Sequence, residues 1–326
     1  MEEMVITRER KMVRENERAH VPVLLSETID ALRGDRSPEE LEGWILDGTL
    51  GAGGHTRAIL ETFPNVRVFG TDQDPAMLAI ASEELSSFGD RVQLARGRIS
   101  HLCALCTERK IDRAIGVLFD LGASSVHFDD ATRGFSFQQD GPLDMRMDPT
   151  RRRTAADIVN TWDESDLADL FYYEGGERRS RRIAHAIVES RRRAPFQRTL
   201  ALADVISRAV GGRQGVGGKI DPATRVFQSL RRAVNEEGHE LRRGLRIAEH
   251  VLVEDGRLVV LTFHSGEDGV VKRYLSERAR DGRWQLVTKK PLGPGATERR
   301  SNPRARSARL RLAIRGRAGE VTEDCS

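Results

Sequence analysis

The chain has 326 residues, 38% hydrophobic and 32% charged, with 53 Lys and Arg against 50 Asp and Glu and a net charge of +3. That balance excludes wholesale disorder, and no apolar run approaches the ~18 residues a membrane span needs. Three cysteines exclude a disulfide scaffold, and the charged first twenty residues lack the apolar stretch of a secretory leader, so a cytoplasmic protein without membrane contact is expected.

Residues 1–19 read as a flexible extension. A short helix is expected over Ser26 to Leu32. Apolar segments then end in an acid or a glycine: Trp44 to Asp47, Val66 to Asp72, Val92 to Gly97 and Ala114 to Gly122. Helix-like stretches at 55–62, 75–87 and 100–109 lie between them. Strands alternating with helices at this spacing predict βαβ units and a parallel sheet. The alternation stops near 130. From 150 to 215 only helical signals appear, at Thr154 to Asn160, Asp163 to Tyr173, Arg178 to Arg192 and Leu200 to Val210. A glycine-rich loop follows at Gly211 to Gly218. The α/β pattern then resumes with one long helix from Pro222 to Val253, breaking at Gly238 or Gly244. Next come a fifth strand from Arg257 to His264, a helix from Val270 to Arg280, and a hairpin of Gln285 to Thr288 with Ala308 to Ile314. The expected fold is an α/β, Rossmann-like sheet domain (20–132 and 216–316) interrupted by an all-helical insertion (133–215), with a tail at 317–326.

The first strand runs into Asp47-Gly48-Thr49-Leu50-Gly51-Ala52-Gly53-Gly54-His55-Thr56. A glycine turn between strand and helix brings a ligand close to backbone N–H groups. Asp72, 21 positions after Gly51, ends the second strand, where an acid accepts both hydroxyls of a ribose. Together they point to an adenosine-containing cofactor. Thr56 stands where a dinucleotide fingerprint has its third glycine, which favours S-adenosylmethionine (SAM) over a nicotinamide dinucleotide. Asp47 and Asp120 are placed for a cationic ligand, although Asp47 also reads as a turn cap. After Asp120, the loop Leu121 to His127 is placed to lie over the cofactor. For an exocyclic base amine, a poor nucleophile, oxygen acceptors such as Ser124 and Ser125 orient the amine and accept its proton.

Long segments now carry a resemblance over residues 20 to 314. They are HVPVLLSE (20–27), DGTLGAGGHT (47–56), RGFSFQQDGPLDMRMDP (133–149), PATRVFQSLRRAVNEE (222–237), LTFHSGED (261–268) and NPRARSARLR (302–311). The chain resembles the 16S rRNA cytosine-N4 methyltransferases called RsmH or MraW. The resemblance implies a SAM-dependent methyltransferase fold with a helical substrate-recognition insertion. It also implies methylation of a cytidine N4 in the decoding centre, on an assembled small ribosomal subunit, by a homodimer. By motif, Gly53, Gly54, His55, Asp72, Ile99, Asp120 and His127 fall at cofactor positions. Ile99 stands where the family often has Phe, and His127 where it usually has Gln. Val126 replaces a Pro that stiffens the loop, Gly238 and Gly266 replace usual Leu, and Gly269 replaces a usual Arg. These departures leave open a paralogue methylating another nucleic-acid amino group, or a non-catalytic SAM-binding ribosome-assembly factor.

The remaining candidates carry two readings each. Asp144, Arg146 and Asp148 form an internal ion-pair network or touch the base or ribose. His264, beside Ser265 at the carboxyl end of the fifth strand, orients the base, relays a proton or is structural. Asn235 and Asn302 are weaker candidates of that kind. Arginines clustered in 151–193 suit RNA phosphates, and the four arginines of 302–311 suggest a second RNA contact. Tyr172, Tyr173 and Phe196 either stack bases or fill a core. Cys103 and Cys106 have metal-ligand spacing but too few companions for zinc, so core packing is expected. No motif calls for a metal.

Overall fold

Runs of Val, Ile, Leu and Phe make the central strands, buried on both faces, of one seven-stranded sheet in a computed structural model that describes residues 22–212 and 221–317. The strands are β1 (Gly43–Asp47), β2 (Val66–Asp72), β3 (Val92–Arg96), β4 (Ala114–Asp120), β5 (Leu252–Thr262), β6 (Trp284–Leu286) and β7 (Arg309–Arg315). Their order is β3-β2-β1-β4-β5-β7-β6. The first five are parallel, and β7 runs antiparallel to both neighbours. The order reverses between β1 and β4, which opens a crevice at their carboxyl ends.

The period-2 alternation of strand side chains sorts them into two cores. Val117, Phe119, Leu258 and Val260 face one way, with α4 (Leu102–Glu108), α11 (Glu237–Val251) and α12 (Ser265–Arg280). Leu118, Val259 and Leu261 face the other way, against α1 (Leu25–Arg33), α2 (Gly54–Thr62) and α3 (Pro75–Glu84). Gly244 lets α11 come close, since a Cβ there would lie 2.4 Å from Ile99 Cγ2. The short helix α5 (Ser125–Asp129) follows β4.

A third apolar cluster is mostly helical, with Leu143, Met145 and Phe196 added from the connecting segments. It joins α6 (Ala155–Thr161), α7 (Glu164–Asp169), a π-helical turn (Leu170–Glu174), α8 (Ser180–Arg191), α9 (Thr199–Val210) and α10 (Pro222–Asn235). The long helix expected over 222–253 with a break is two helices. The break falls at Glu236, in left-handed backbone at φ 54°, rather than at Gly238 or Gly244. The stripe Ala223, Val226, Phe227, Leu230 and Val234 packs into the helical cluster, while Leu241, Leu245 and Ala248 pack on the sheet. The helical body thus runs to residue 235, beyond the expected boundary at 215. The expected extension at 1–19, most of the glycine-rich loop and nearly all of the 317–326 tail lie outside the described residues. Among the described residues no helix is long and apolar enough to cross a membrane.

Gly238 and Gly269 lie inside helices, and a Cβ at either would meet only the tip of an arginine, at 3.6 Å and 3.7 Å. Gly238→Ala and Gly269→Ala should each stabilise the protein by about 0.5–1 kcal/mol. Urea unfolding at unchanged slope measures this; a lowered midpoint would mean that the glycine serves a contact.

Candidate active site

Three carboxylates converge at the carboxyl edge of β1, β2 and β4. Asp47 is buried, accepting from Thr49 N at 3.1 Å and from the Thr56 hydroxyl at 2.7 Å. Burial pushes its pKa up to about 6, although Thr56, His55 and the Thr49 amide oppose this. Asp72 accepts from Gly51 N and Asp74 N, each at 2.8 Å, and burial raises it too. Asp120 is pushed up to about 7 by burial and by the nearby charge of Glu267. Its Oδ1 is shut off from solvent and has no hydrogen-bond partner.

The glycine turn shapes the space among these acids. Gly51 and Gly53 take φ of 53° and 89°, a region that favours glycine. A Cβ on Gly51 would meet nothing within 4 Å, so that face is open. Gly53 caps α2, and Gly54 packs so close to Pro22 that a Cβ would lie 2.6 Å from its Cγ. His55 is buried, with Nε2 3.1 Å from the Val23 carbonyl and Nδ1 3.4 Å from Asp120 Oδ2. A carbonyl only accepts, so Nε2 carries the proton. Burial holds the imidazole pKa below its usual value. The Nδ1 lone pair of the neutral ring then faces Asp120 and favours that carboxyl in its protonated form. One buried and two half-buried acids with one neutral histidine make a site lacking positive charge. A cationic ligand with hydroxyls, such as SAM, fits that donor set, and Asp120 Oδ1 fits its charged end. Ile99, 8% exposed, offers an apolar wall.

The loop after β4 is held by its own side chains. Ser124 caps α5, accepting from Val126 N, and Ser125 opens that helix. His127 is tied into the loop by both ring nitrogens. Its Nδ1 accepts from Ser124 N at 3.1 Å, its Nε2 donates to Asp74 Oδ2 at 2.7 Å, and its ring stacks on Phe135 at 4.9 Å. Neither nitrogen is left for a ligand; the ring fixes the loop that a Pro at 126 would otherwise stiffen. Asp74 is fully buried and also holds Arg133 at 2.8 Å. Neither Asp74 nor Arg133 stood out in the sequence, although Asp74 before Pro75 carries the signature of a helix N-cap.

The opposite wall is Phe263 to Ser265; a Cβ on Gly122 would lie 3.6 Å from the Phe263 ring. His264 is tied down as well. Its Nδ1 caps α12, accepting from Gly266 N and Glu267 N, and its Nε2 pairs with Glu267 Oε1 at 2.7 Å. Glu267 is a missed residue, buried beside the site; burial opposes its ionisation, but His264 and the Phe263 amide hold its pKa below the usual range. Ser265 is exposed at the start of α12. Asp144 and Arg146 make a two-pronged ion pair, both contacts at 2.7 Å. Arg146 also donates to the Pro149 and Arg151 carbonyls, and Asp148 pairs with Arg96. These contacts match the internal-network reading. Asn235 is buried, donating to Met145 O and accepting from Met147 N, both at 2.8 Å.

The arginine clusters divide. Arg151 pairs with Glu236, Arg179 donates to the Val210 carbonyl, and Arg191 donates to the Val159 and Trp162 carbonyls. Arg152, Arg153, Arg178, Arg181, Arg182 and Arg193 are exposed and, among the described residues, lack ion pairs. Of the two readings for the aromatics, Tyr172 and Tyr173 are exposed and fill no core, whereas Phe196 is buried. Cys106 is buried, its thiol pushed up to about 12, and so unreactive. Glu236, His239 and Glu240 cluster closely enough for a cation, but Arg98 and Arg151 already pair with the two acids.

A family model described as the MraW methylase family matches residues 17–315. Curated relatives share the name "Ribosomal RNA small subunit methyltransferase H". One from Methylobacterium sp. (strain 4-46) is 45% identical over 322 residues, covering 93% of this chain and 91% of the relative. One from Methylorubrum populi is 48% identical, covering 93% and 87%. One from Synechococcus elongatus is 48% identical over 296 residues, covering 91% and 94%.

Proposed function

The chain belongs to the MraW methylase family, and from that premise we propose that it methylates N4 of a cytidine in the decoding centre of 16S rRNA, using SAM, on the small ribosomal subunit. The observation that carries this reading is the buried, unpartnered Oδ1 of Asp120 among three acids at the topological switch point. When bound, SAM supplies an electrophilic methyl group on a sulfonium. The Gly51 to His55 turn gives the close backbone approach it needs, Asp72 takes the ribose hydroxyls, Asp120 the charged end, and Ile99 lies against the adenine.

The N4 amine is a weak nucleophile because its lone pair is delocalised into the ring. The protein's task is to orient it and accept its hydrogen bonds. Loop oxygens between Leu121 and Ser124 supply the acceptors, and Phe263 the opposing wall. The amine proton leaves to water, because His264 is engaged in capping. Asp144 and Arg146 act by holding the 143–149 segment in shape, and exposed arginines of the helical insertion meet RNA phosphates.

The decisive experiment incubates the protein with labelled SAM and small subunits from a strain lacking this gene, then identifies the product nucleoside by mass spectrometry. N4-methylated cytidine from one 16S site supports the reading. Bound SAM without transfer overturns it in favour of an assembly factor, and another methylated nucleoside in favour of a changed substrate.

Asp120 makes cofactor binding depend on pH. With a pKa of about 7 it is protonated in acid, whereas a cation needs it ionised. Affinity should therefore rise with pH up to neutrality, by as much as about tenfold per unit below the pKa. Calorimetry near pH 6 in two buffers should show one proton released on binding; a flat profile would remove Asp120 from the contact.

A further inference from the structure

Between β6 and β7 the chain makes an excursion that no step above uses. From Val287 to Arg311 it carries eight basic residues and a single acid, Glu298. That acid is already engaged, accepting from Leu24 N at 2.8 Å. The excursion folds back through a bridge between Leu292 and Leu310 and through α13 (Ala296–Ser301). It thereby walls a cleft of 390 Å³ whose other side is Phe263, His264 and Ser265. Arg299, Arg306 and Arg309 line it, and no carboxylate does.

The charge in this cleft is not neutralised locally. Arg309 pairs with Asp268, but the same carboxylate also holds Arg311, so the trio keeps one net positive charge. Arg299 and Arg306 are exposed and, among the described residues, have no ion pair. Two free guanidinium forks beside a half-buried ring and an exposed serine match a phosphate with a base next to it. The Phe263 wall is shared with the loop after β4, so whatever sits here adjoins the target nucleotide.

We propose that this cleft seats a phosphodiester of the RNA strand carrying the target nucleotide, gripped by Arg299 and Arg306. The assignment rests on the RNA-methyltransferase reading and adds to it a second RNA contact, on the sheet domain rather than on the helical insertion.

The test is direct binding of the full chain to a mixed-sequence, single-stranded 12-nucleotide RNA across a potassium chloride series, with no catalysis required. Arg299→Gln/Arg306→Gln should weaken binding at least tenfold near 0.1 M salt. It should also flatten the slope of log affinity against log salt by about 1.4, since each single-strand phosphate contact contributes about 0.7. Arg109→Gln/Lys110→Gln removes the same charge at the opposite edge of the sheet and should change the slope little. SAM affinity should match wild type in both variants. Equal losses from the two pairs, or an unchanged slope in the cleft pair, overturn the proposal while leaving the methyltransferase reading intact. So does weakened SAM binding in the cleft pair alone, which would assign the cleft to the cofactor carboxylate. A wild-type protein that binds no single-stranded RNA overturns the cleft proposal, while the labelled-SAM assay on small subunits decides the methyltransferase reading separately.

Discussion

Asp120→Asn should nearly abolish SAM binding and yet make the ligand-free protein more stable at pH 8. The carboxyl sits at the end of β4 with Oδ1 buried and unpartnered and its pKa raised to about 7. The folded state therefore binds a proton more tightly than the unfolded chain, whose aspartates titrate near 3.8. In the window between these values, stability falls as pH rises, because the unfolded chain ionises the group freely and the folded one does so at a cost. Asn carries no charge to bury. Above pH 7 the variant should gain about 1–2 kcal/mol, a figure reduced from the full shift because the side chain is partly exposed. Below pH 4 that advantage should vanish. Losing the buried partner of a cation should weaken SAM at least about a hundredfold. Urea unfolding at pH 4 and pH 8 with calorimetric SAM titration reads both effects. A variant less stable at pH 8 with normal SAM affinity would make Asp120 a structural residue.

Asp74→Ala should be among the most damaging single changes outside the apolar core. One buried carboxylate holds three things: the first turn of α3 through Ala76 N, His127 of the loop after β4, and Arg133. Removing a helix cap costs about 1 kcal/mol, and breaking a buried ion pair about 3–5. Arg133 is 21% exposed and recovers some hydration, so a loss of about 3–4 kcal/mol is expected. Burial raises the carboxyl pKa, but His127, the Ala76 amide and Arg133 hold it below the usual value. Its contribution is thus present above the unfolded pKa near 3.8 and disappears only as pH falls through the lower folded value. The deficit should persist from pH 5 to 8. Asp74→Asn keeps the cap and should lose less. A deficit under about 1 kcal/mol would mean that the loop is held by other contacts.

Much of the sheet was legible in the sequence because its strands are apolar runs ending in Asp47, Asp72 and Asp120, and such strands look alike wherever they occur. The glycine turn was legible for the same local reason. The pairings that hold the site were not. The sequence does not show that Asp74, 53 residues away, holds Nε2 of His127. Nor does the sequence show that the His264 ring caps the helix it precedes. Glycine signals at 238 and 244 mislead about the helix break. That break follows instead from Asn235, which is tied to the backbone of Met145 and Met147, and from Glu236, which is bridged by Arg98 and Arg151. Arginine clustering likewise does not reveal which guanidiniums brace carbonyls and which stay free.

The join at Glu236 bears on how such a protein is assembled over evolutionary time. A helical module spliced into a sheet domain is easiest to exchange when its ends fall in loops. Here the last helix of the module runs directly into a helix of the sheet domain, with only one left-handed residue between them. A recombination event ending at the glycine-rich segment would strand an amphipathic helix whose apolar stripe has lost its partners. A transplant of the helical module would therefore have to carry its boundary to Asn235, past the glycine-rich segment.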